Sequence, residues 1–208
     1  MDSKDRERDN KMNVYDFDET IFTGDSEDRF FDFIFQKKGF KHYKYFWKFW
    51  NRLWKMHLVE KTVSREHQYK FLKDIDDLDA TLEEYWDNVE KYMKPWYNKV
   101  KKDDDMIASG TPRFLLEPML KRLGLKNLVA TEMDPKTGKI DGHFAIDKYK
   151  LENFLKDWTE DAIDKFYSDA YSDHYLADIA KEAYVIHDGE QFTEWKEYCD
   201  THPEFSDK

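Results

Sequence analysis

The order of apolar and polar positions divides the chain into two stretches of different character. A short β-prone run at residues 12–15 ends abruptly in the acidic segment 16–20, which predicts a buried strand followed by a loop. From about residue 26 to residue 92, apolar residues recur at the three- and four-residue spacing of helices. We predict four helices in this stretch, with no strand between them.

Beyond Pro95 the pattern changes, and strand-like runs alternate with helical ones. Such alternation is typical of βαβ units and a parallel sheet. A turn at residues 135–138 predicts a small hairpin before Gly142. The predicted strands are residues 106–108, 127–131, 162–167 and 184–186, and the predicted helices are residues 112–122, 148–158 and 173–181.

These elements predict an α/β fold, with a Rossmann-like three-layer core around a central parallel sheet and an inserted all-helical cap. Residues 11–25 and 95–200 are expected to form the core, and residues 26–94 the cap. The ends of the chain are polar, so residues 1–10 and 201–208 are predicted to be flexible tails.

Composition narrows the class of protein. The chain has 208 residues, of which 38% are charged and 17% aromatic, and this many large apolar side chains argue against disorder. A formal net charge of -11 argues against a chain-wide surface for nucleic acid.

The cysteine count and the hydropathy pattern bear on the compartment. A single cysteine, Cys199, excludes an intrachain disulfide and a CxxC site. The N-terminus lacks the apolar segment of a signal peptide, and no later run has the length of a membrane-spanning helix. We expect a cytoplasmic protein, with peripheral membrane contact left open.

Candidate chemistry follows three of the predicted strands, at the edge where ligands bind in open parallel sheets. Asp16 and Asp18 follow the first strand, and Asp169 and Asp173 follow a later one. Carboxylates brought together in this way repel one another unless a cation lies among them. Oxygen ligands of this kind suit Mg²⁺, which usually shares its site with a phosphate.

A phosphate site is predicted next to these carboxylates. The segment 109–112, Ser-Gly-Thr-Pro, combines a hydroxyl, unobstructed backbone amides and the start of a helix, which together favour an anion. Lys150, or Lys148 beside it, begins the next helix and supplies a balancing positive charge.

These residues resemble the four motifs of the haloacid dehalogenase (HAD) superfamily, in its phosphoserine phosphatase-like branch. The motifs occur in the family's order, and the cap lies outside the match. The distance along the chain from residues 137–142 to the lysine of the third motif favours Lys150 over Lys148. The matches are residues 16–20 for DxDxT, Ser109 and Gly110 for the second motif, Lys150 for the third, and Asp169 with Asp173 for DxxxD.

The resemblance implies a two-step phosphoryl transfer. Asp16 attacks phosphorus and forms an aspartyl-phosphate. Asp18 protonates the leaving oxygen and then takes a proton from water. Because the dehalogenase members lack this second aspartate, its presence favours a Mg²⁺-dependent phosphomonoester hydrolase. The expected substrate is a small phosphorylated metabolite similar to phosphoserine.

The resemblance also implies the ligands of each group. Mg²⁺ is expected on the Asp16 carboxylate, the Asp18 backbone carbonyl and Asp169, with Asp173 orienting the site. Thr20 is expected to orient the loop that carries the first two aspartates. The residues grouped as phosphate-binding are Thr20, Ser109, Gly110 and Lys150.

Two features of the cap leave the substrate open. A basic amphipathic helix is predicted at about residues 40–58, and the seven basic residues between 33 and 59 have no acid among them, so the rest of the chain carries -18. We prefer packing of its aromatic face within the cap. The alternative is contact with an anionic membrane surface, with a lipid-linked phosphate as substrate.

The second feature is the pair of acidic residues Asp25 and Glu27 at the entrance to the cap. The resemblance to phosphoserine phosphatases, in which an acidic residue near this position meets the substrate ammonium, implies that Asp25 or Glu27 binds an amine. Helix initiation also explains both residues and is preferred. A non-catalytic binding protein of the same fold is a further alternative. The presence of both the expected nucleophile, Asp16, and the expected acid, Asp18, counts against it.

Overall fold

A computed structural model describes residues 11–187 and 190–206, so the predicted tail 1–10 and the last two residues lie outside the described part. The strands are β1 Met12–Tyr15, β2 Met106–Pro112, β3 Asn127–Thr131, β4 Ile163–Ser168, β5 Glu182–His187 and β6 Gln191–Glu194. The helices are α1 Ser26–Gln36, α2 Tyr43–Lys55, α3 Lys61–Gln68, α4 Leu78–Val89, α5 Pro95–Val100, α6 Arg113–Leu123, α7 Lys148–Phe154, α8 His174–Ala177 and α9 Trp195–Thr201.

The strands form one sheet in the order β3-β2-β1-β4-β5-β6. The first five are parallel, which confirms the predicted central sheet, and β6 pairs antiparallel with β5 at the edge. Strand β6 was not predicted, because its four residues are mostly exposed and show no buried run. The strand order reverses direction at β1, where the neighbours are β2 on one side and β4 on the other.

Side chains alternate across this sheet and build an apolar core on each face. Val14 and Met106 point to one face, and Tyr15 and Ile107 to the other. Helices α7, α8 and α9 contribute to the first core, whereas α5, α6 and the cap contribute to the second. The result is the three-layer α/β architecture that the alternating pattern predicts.

Residues 26–94 contain four α-helices and no strand, as expected for an all-helical cap. Trp86 of α4 fixes the cap to the core, since its ring is buried and packs edge-on against Phe17 and Phe22. The indole Nε1 donates a 2.7 Å hydrogen bond to the carbonyl of Leu115 in α6. The exact boundary between core and cap stays a prediction.

The structure corrects two local predictions. Residues 201–206 are expected to lie in a flexible tail, but Thr201 is the last residue of α9 and Pro203–Phe205 form a short 3₁₀ helix. The Phe205 ring is buried against Trp195. The helix expected at 173–181 is a single turn, His174–Ala177. The hairpin at 135–138 is present, with Met133 paired to Ile140. In the described residues, no helix has the length and apolar character needed to cross a membrane.

Candidate active site

The predicted functional residues meet at the carboxyl ends of β1, β2 and β4, where the strand order reverses. Loops that leave neighbouring strands in opposite directions open a crevice at such a point. A cavity of about 240 Å³ lies there, open to solvent on one side. Its core-side wall is formed by Asp16, Asp18, Ser109, Gly110, Lys150, Asp169 and Asp173.

Lys150 is the buried cation at the floor of this cavity. Its Nζ lies 3.0 Å from Asp16 Oδ1 and 2.5 Å from Asp173 Oδ1, and 4% of its side chain is exposed. Burial lowers the pKa of Lys150, but the two carboxylates raise it above its ordinary value, so the ammonium stays charged. Lys148, by contrast, has 57% of its side chain exposed and faces Glu152.

Asp16 lies in an environment with more negative than positive charge. Burial raises the pKa of Asp16 well above its usual range, and Asp173 and Asp169 raise it further against the lowering effect of Lys150. One ammonium therefore does not balance the carboxylates of the site.

Thr20 joins Asp16 to Asp169. Its Oγ1 lies 3.3 Å from Asp16 Oδ2 and 3.1 Å from Asp169 Oδ1, and it accepts a hydrogen bond from the Asp169 backbone N–H. Thr20 is fully buried and does not line the cavity. Its grouping with the phosphate-binding residues therefore needs correction, because its hydroxyl positions the two carboxylates.

Asp18 is held by two hydrogen bonds, one from the cap and one from the core. Its Oδ1 accepts from the Ser26 backbone N–H at 2.6 Å, and its Oδ2 accepts from Thr111 Oγ1 at 2.8 Å. Burial raises the pKa of Asp18 to about 7, with a contribution from Asp25, although both hydrogen bonds oppose the rise. A carboxyl in this range exchanges protons readily near neutral pH.

Ser109 and Gly110 form the wall at the end of β2. Ser109 is buried, and its Oγ accepts a hydrogen bond from the Thr111 backbone N–H at 3.1 Å. A Cβ atom on Gly110 would lie 3.1 Å from Ile146 and 3.2 Å from Phe144, closer than ordinary contacts. Glycine therefore keeps this wall uncrowded and leaves its backbone accessible.

The opposite wall is charged and comes from the cap. Glu27 and Arg65 are both buried and form an ion pair at 3.0 Å. Burial raises the pKa of Glu27 to about 7, partly offset by Arg65. Lys61 lies over the Phe144 ring at 4.7 Å, and burial together with Arg65 lowers the pKa of Lys61 to about 8.

The residues at the Asp16 end of the cavity fit the magnesium ion that the family pattern implies. Burial raises the pKa of Asp169 to about 6, with Asp173 adding to the rise and the Thr20 hydrogen bond opposing it. A divalent cation would relieve this excess of negative charge, and oxygen donors suit Mg²⁺. The Mg²⁺ ligands expected from the protein are only two carboxylates, Asp16 and Asp169, and the Asp18 backbone carbonyl. In the described residues, no three His, Cys, Asp or Glu side chains form a metal-binding group by themselves.

Comparison with known proteins decides the family. The sequence model described as haloacid dehalogenase-like hydrolase matches residues 14–178, most of the chain. The chain belongs to the haloacid dehalogenase-like hydrolase family. It is thus a member of an enzyme family, as the motifs predict. No curated protein sequence matches this family member significantly.

Solved structures show the same fold at low sequence identity. A protein of unknown function from Bordetella pertussis Tohama I superposes with a TM-score of 0.74 at 18% identity, covering 93% of this chain and 96% of that one. A phosphoserine phosphohydrolase-like protein from Francisella tularensis gives 0.54 at 18%, covering 85% and 87%. A probable phosphoserine phosphatase from Vibrio cholerae gives 0.60 at 14%, covering 86% and 57%.

The structure brings the motif residues together, but their chemical roles stay predictions. Sequence reasoning missed Arg65 and Lys61, because a basic residue on a cap helix carries no local motif. It also preferred helix initiation for both Asp25 and Glu27. Asp25 does cap α1, accepting a hydrogen bond from the Asp28 N–H at 2.7 Å, and both Asp25 and Glu27 line the cavity.

The two candidate lysines make a matched stability test. We expect Lys150→Met to lower the free energy of unfolding by about 3–5 kcal/mol, because it leaves two buried carboxylates without their compensating cation. Lys148→Met removes an exposed charge and is expected to change stability by about 0.5 kcal/mol or less. Urea unfolding at neutral pH measures both. Equal effects of the two substitutions would contradict the buried position of Lys150.

Proposed function

We propose that the protein is a Mg²⁺-dependent phosphatase that hydrolyses phosphomonoesters through an aspartyl-phosphate. The observation that carries the proposal is the shared cavity of Asp16 and Asp18. Asp16 is paired with Lys150 at one side, and Asp18 is held by Thr111 and a backbone amide at the other. A nucleophile and an acid on one small cavity are what phosphoryl transfer requires.

In the first step, an Asp16 carboxylate oxygen attacks phosphorus, and the bond between phosphorus and the alcohol oxygen breaks. Asp18 gives its proton to that oxygen as the alcohol leaves. The pKa of Asp18, raised by burial to about 7, keeps a proton available near neutral pH. Ser109, Gly110 and Lys150 bind the phosphoryl oxygens.

In the second step, Asp18 takes a proton from water as that water attacks phosphorus. The bond between phosphorus and Asp16 breaks, which releases inorganic phosphate and restores both carboxyl groups. Covalent catalysis of this kind divides one difficult displacement into two easier ones.

Magnesium supplies charge neutralisation for the phosphoryl oxygens when it is bound. The residues that would hold it are Asp16, the Asp18 backbone carbonyl and Asp169. Asp173 pairs with Lys150 and accepts a 2.7 Å hydrogen bond from Ser168, so it orients the site from behind.

The cap wall favours a small, charged alcohol as the rest of the substrate. A cavity of about 240 Å³ is below the usual range of about 300–1,000 Å³ for drug-sized ligands. Glu27 presents a carboxylate to it, and Lys61 and Arg65 present cations. Arg65 Nε is buried and has no hydrogen-bond partner in the described residues. A phosphoserine-like substrate matches both signs of charge.

A lipid-linked phosphate is the second candidate substrate. The position of α2 favours this substrate. The Lys61 ammonium lies 5.1 Å from the centre of the Trp54 ring of α2, and it also lies over the Phe144 ring in the cavity wall. The aromatic, basic helix therefore contacts a residue that lines the proposed substrate site.

The catalytic proposal is tested with an aryl phosphate. We expect hydrolysis to require Mg²⁺, and Asp16→Asn to lower kcat by more than about 10³-fold because the amide is no nucleophile. Asp161→Asn, at an exposed aspartate, serves as the control. Metal-independent hydrolysis, or activity that survives Asp16→Asn, would contradict the proposal.

The substrate proposal is tested with two substrates. We expect Arg65→Met to lower kcat/KM for phosphoserine about 10- to 100-fold, because a charge-assisted hydrogen bond to the substrate is lost. The same substitution should change hydrolysis of an aryl phosphate much less, since that substrate has no amine or carboxylate. Arg122→Met, outside the cavity, is the matched control. An equal loss on both substrates would indicate a folding defect and refute a role for Arg65 in specificity.

A further inference from the structure

Helix α2 is unusual because none of its residues is buried, although seven of its thirteen residues are aromatic. One side packs on the cap through half-buried rings. Trp47 contacts Phe31 of α1, and Trp50 stacks on His67 of α3 at 3.6 Å. Packing within the cap therefore accounts for this inner side but leaves the rest of the helix uncovered.

The outer side of α2 and the turn that follows expose a cluster of apolar side chains. Of the nine large apolar residues that are exposed in the described part of the chain, five lie between residues 45 and 58. Their concentration on one segment is what distinguishes them from scattered surface residues. They are Tyr45 at 77% exposure, Phe46 at 54%, Phe49 at 57%, Met56 at 55% and Leu58 at 63%.

A strip of positive charge runs beside this apolar cluster. Lys44, Lys48, Arg52 and Lys55 follow one another at three- and four-residue intervals and are exposed. Lys44 lies 3.4 Å from Asp32, whereas the other three have no acidic partner within 4 Å in the described residues. These two strips together, residues 44–58, are called the outer face below.

A surface depression adjoins the basic strip. It has a volume of about 590 Å³ and is lined by Lys41, Lys44, Tyr45 and Lys48, with Phe35 and Gln36 completing the wall. Three ammonium groups around one depression provide a place for an anionic headgroup beside the apolar side chains.

We propose that the outer face docks the protein onto the surface of an anionic phospholipid bilayer. Basic side chains beside exposed Phe, Met and Leu match the two layers of such a surface, with phosphates outside and acyl chains beneath. The segment 33–59 carries seven positive charges, whereas the rest of the chain carries -18. The acidic remainder would therefore turn away from the bilayer and fix one orientation.

Charge and composition argue against a second copy of the chain, and against a nucleic acid, as the partner of the outer face. A second copy docked face to face would place two basic strips against each other. A long nucleic acid would stack on the exposed aromatic rings, but it would leave the apolar Met56 and Leu58 uncovered and would meet the acidic remainder of the chain beyond the narrow strip.

Docking would place lipid one helix away from the cavity. Ser64 of α3 donates a 3.0 Å hydrogen bond to the Trp50 carbonyl of α2, and α3 supplies Lys61 and Arg65 to the cap wall. The docking proposal does not depend on the proposed phosphatase activity, because binding is measured without turnover.

The experiment is cosedimentation of the full chain with vesicles of phosphatidylglycerol and phosphatidylcholine, and with vesicles of phosphatidylcholine alone. We expect binding to the anionic vesicles only, falling as salt increases. Lys48→Ala and Arg52→Ala are each expected to weaken the partition coefficient about fivefold. Phe49→Ser is expected to weaken it about tenfold through lost apolar burial.

Matched variants control for charge and hydrophobicity elsewhere. Lys126→Ala and Lys156→Ala each remove one exposed positive charge, and Leu155→Ser removes an apolar side chain that is 39% exposed. These are expected to bind as the unchanged protein does. Circular dichroism and urea midpoints verify that each variant folds.

Three results would overturn the proposal. The first is no binding to anionic vesicles at low salt, and the second is equal weakening by the control variants. The third is sedimentation of the lipid-free protein as a dimer that Phe49→Ser dissociates, which would assign the outer face to a second copy.

Discussion

The site depends on the buried contact of Lys150 with Asp16 and Asp173, which brings one ammonium between two carboxylates. Breaking such a pair is costly because a charge is left without solvent or partner. The contact also joins three parts of the chain, since Asp16 follows β1, Lys150 lies in the first turn of α7 and Asp173 follows β4. The parallel sheet makes this possible, because the segments that follow β1, β3 and β4 leave the same edge of the sheet.

The core and the cap divide the proposed reaction between them. The core carries the proposed nucleophile and the proposed phosphate site, whereas the cap brings Glu27, Lys61 and Arg65 to the same cavity. The two parts meet at Asp18, whose carboxylate is bound by the Ser26 amide of α1 and by Thr111 of β2. The proposed acid is therefore held from both the cap and the core.

The sequence predicts those strands, helices and site residues whose structure depends on neighbouring residues in the chain. Apolar periodicity and start signals predict strand β1 before residues 16–20 and the helix that begins at Lys148. The order of the motifs predicts which residues of these segments lie together. Arg65 was missed because its role depends on burial beside Glu27, a contact across 38 positions that no periodicity encodes. Strand β6 was missed because an exposed edge strand owes its conformation to pairing with β5 rather than to its own residues.

The most direct test of the central claim is to find the phosphoryl group on the protein. An acid quench during turnover of an aryl phosphate, followed by tandem mass spectrometry of the proteolytic peptides, locates any covalent phosphate. We expect one phosphoryl group on Asp16 of the unchanged protein and none on the Asp16→Asn variant. Phosphate on a different residue, or full turnover with no modified peptide under quenched conditions that preserve acyl phosphates, would contradict it.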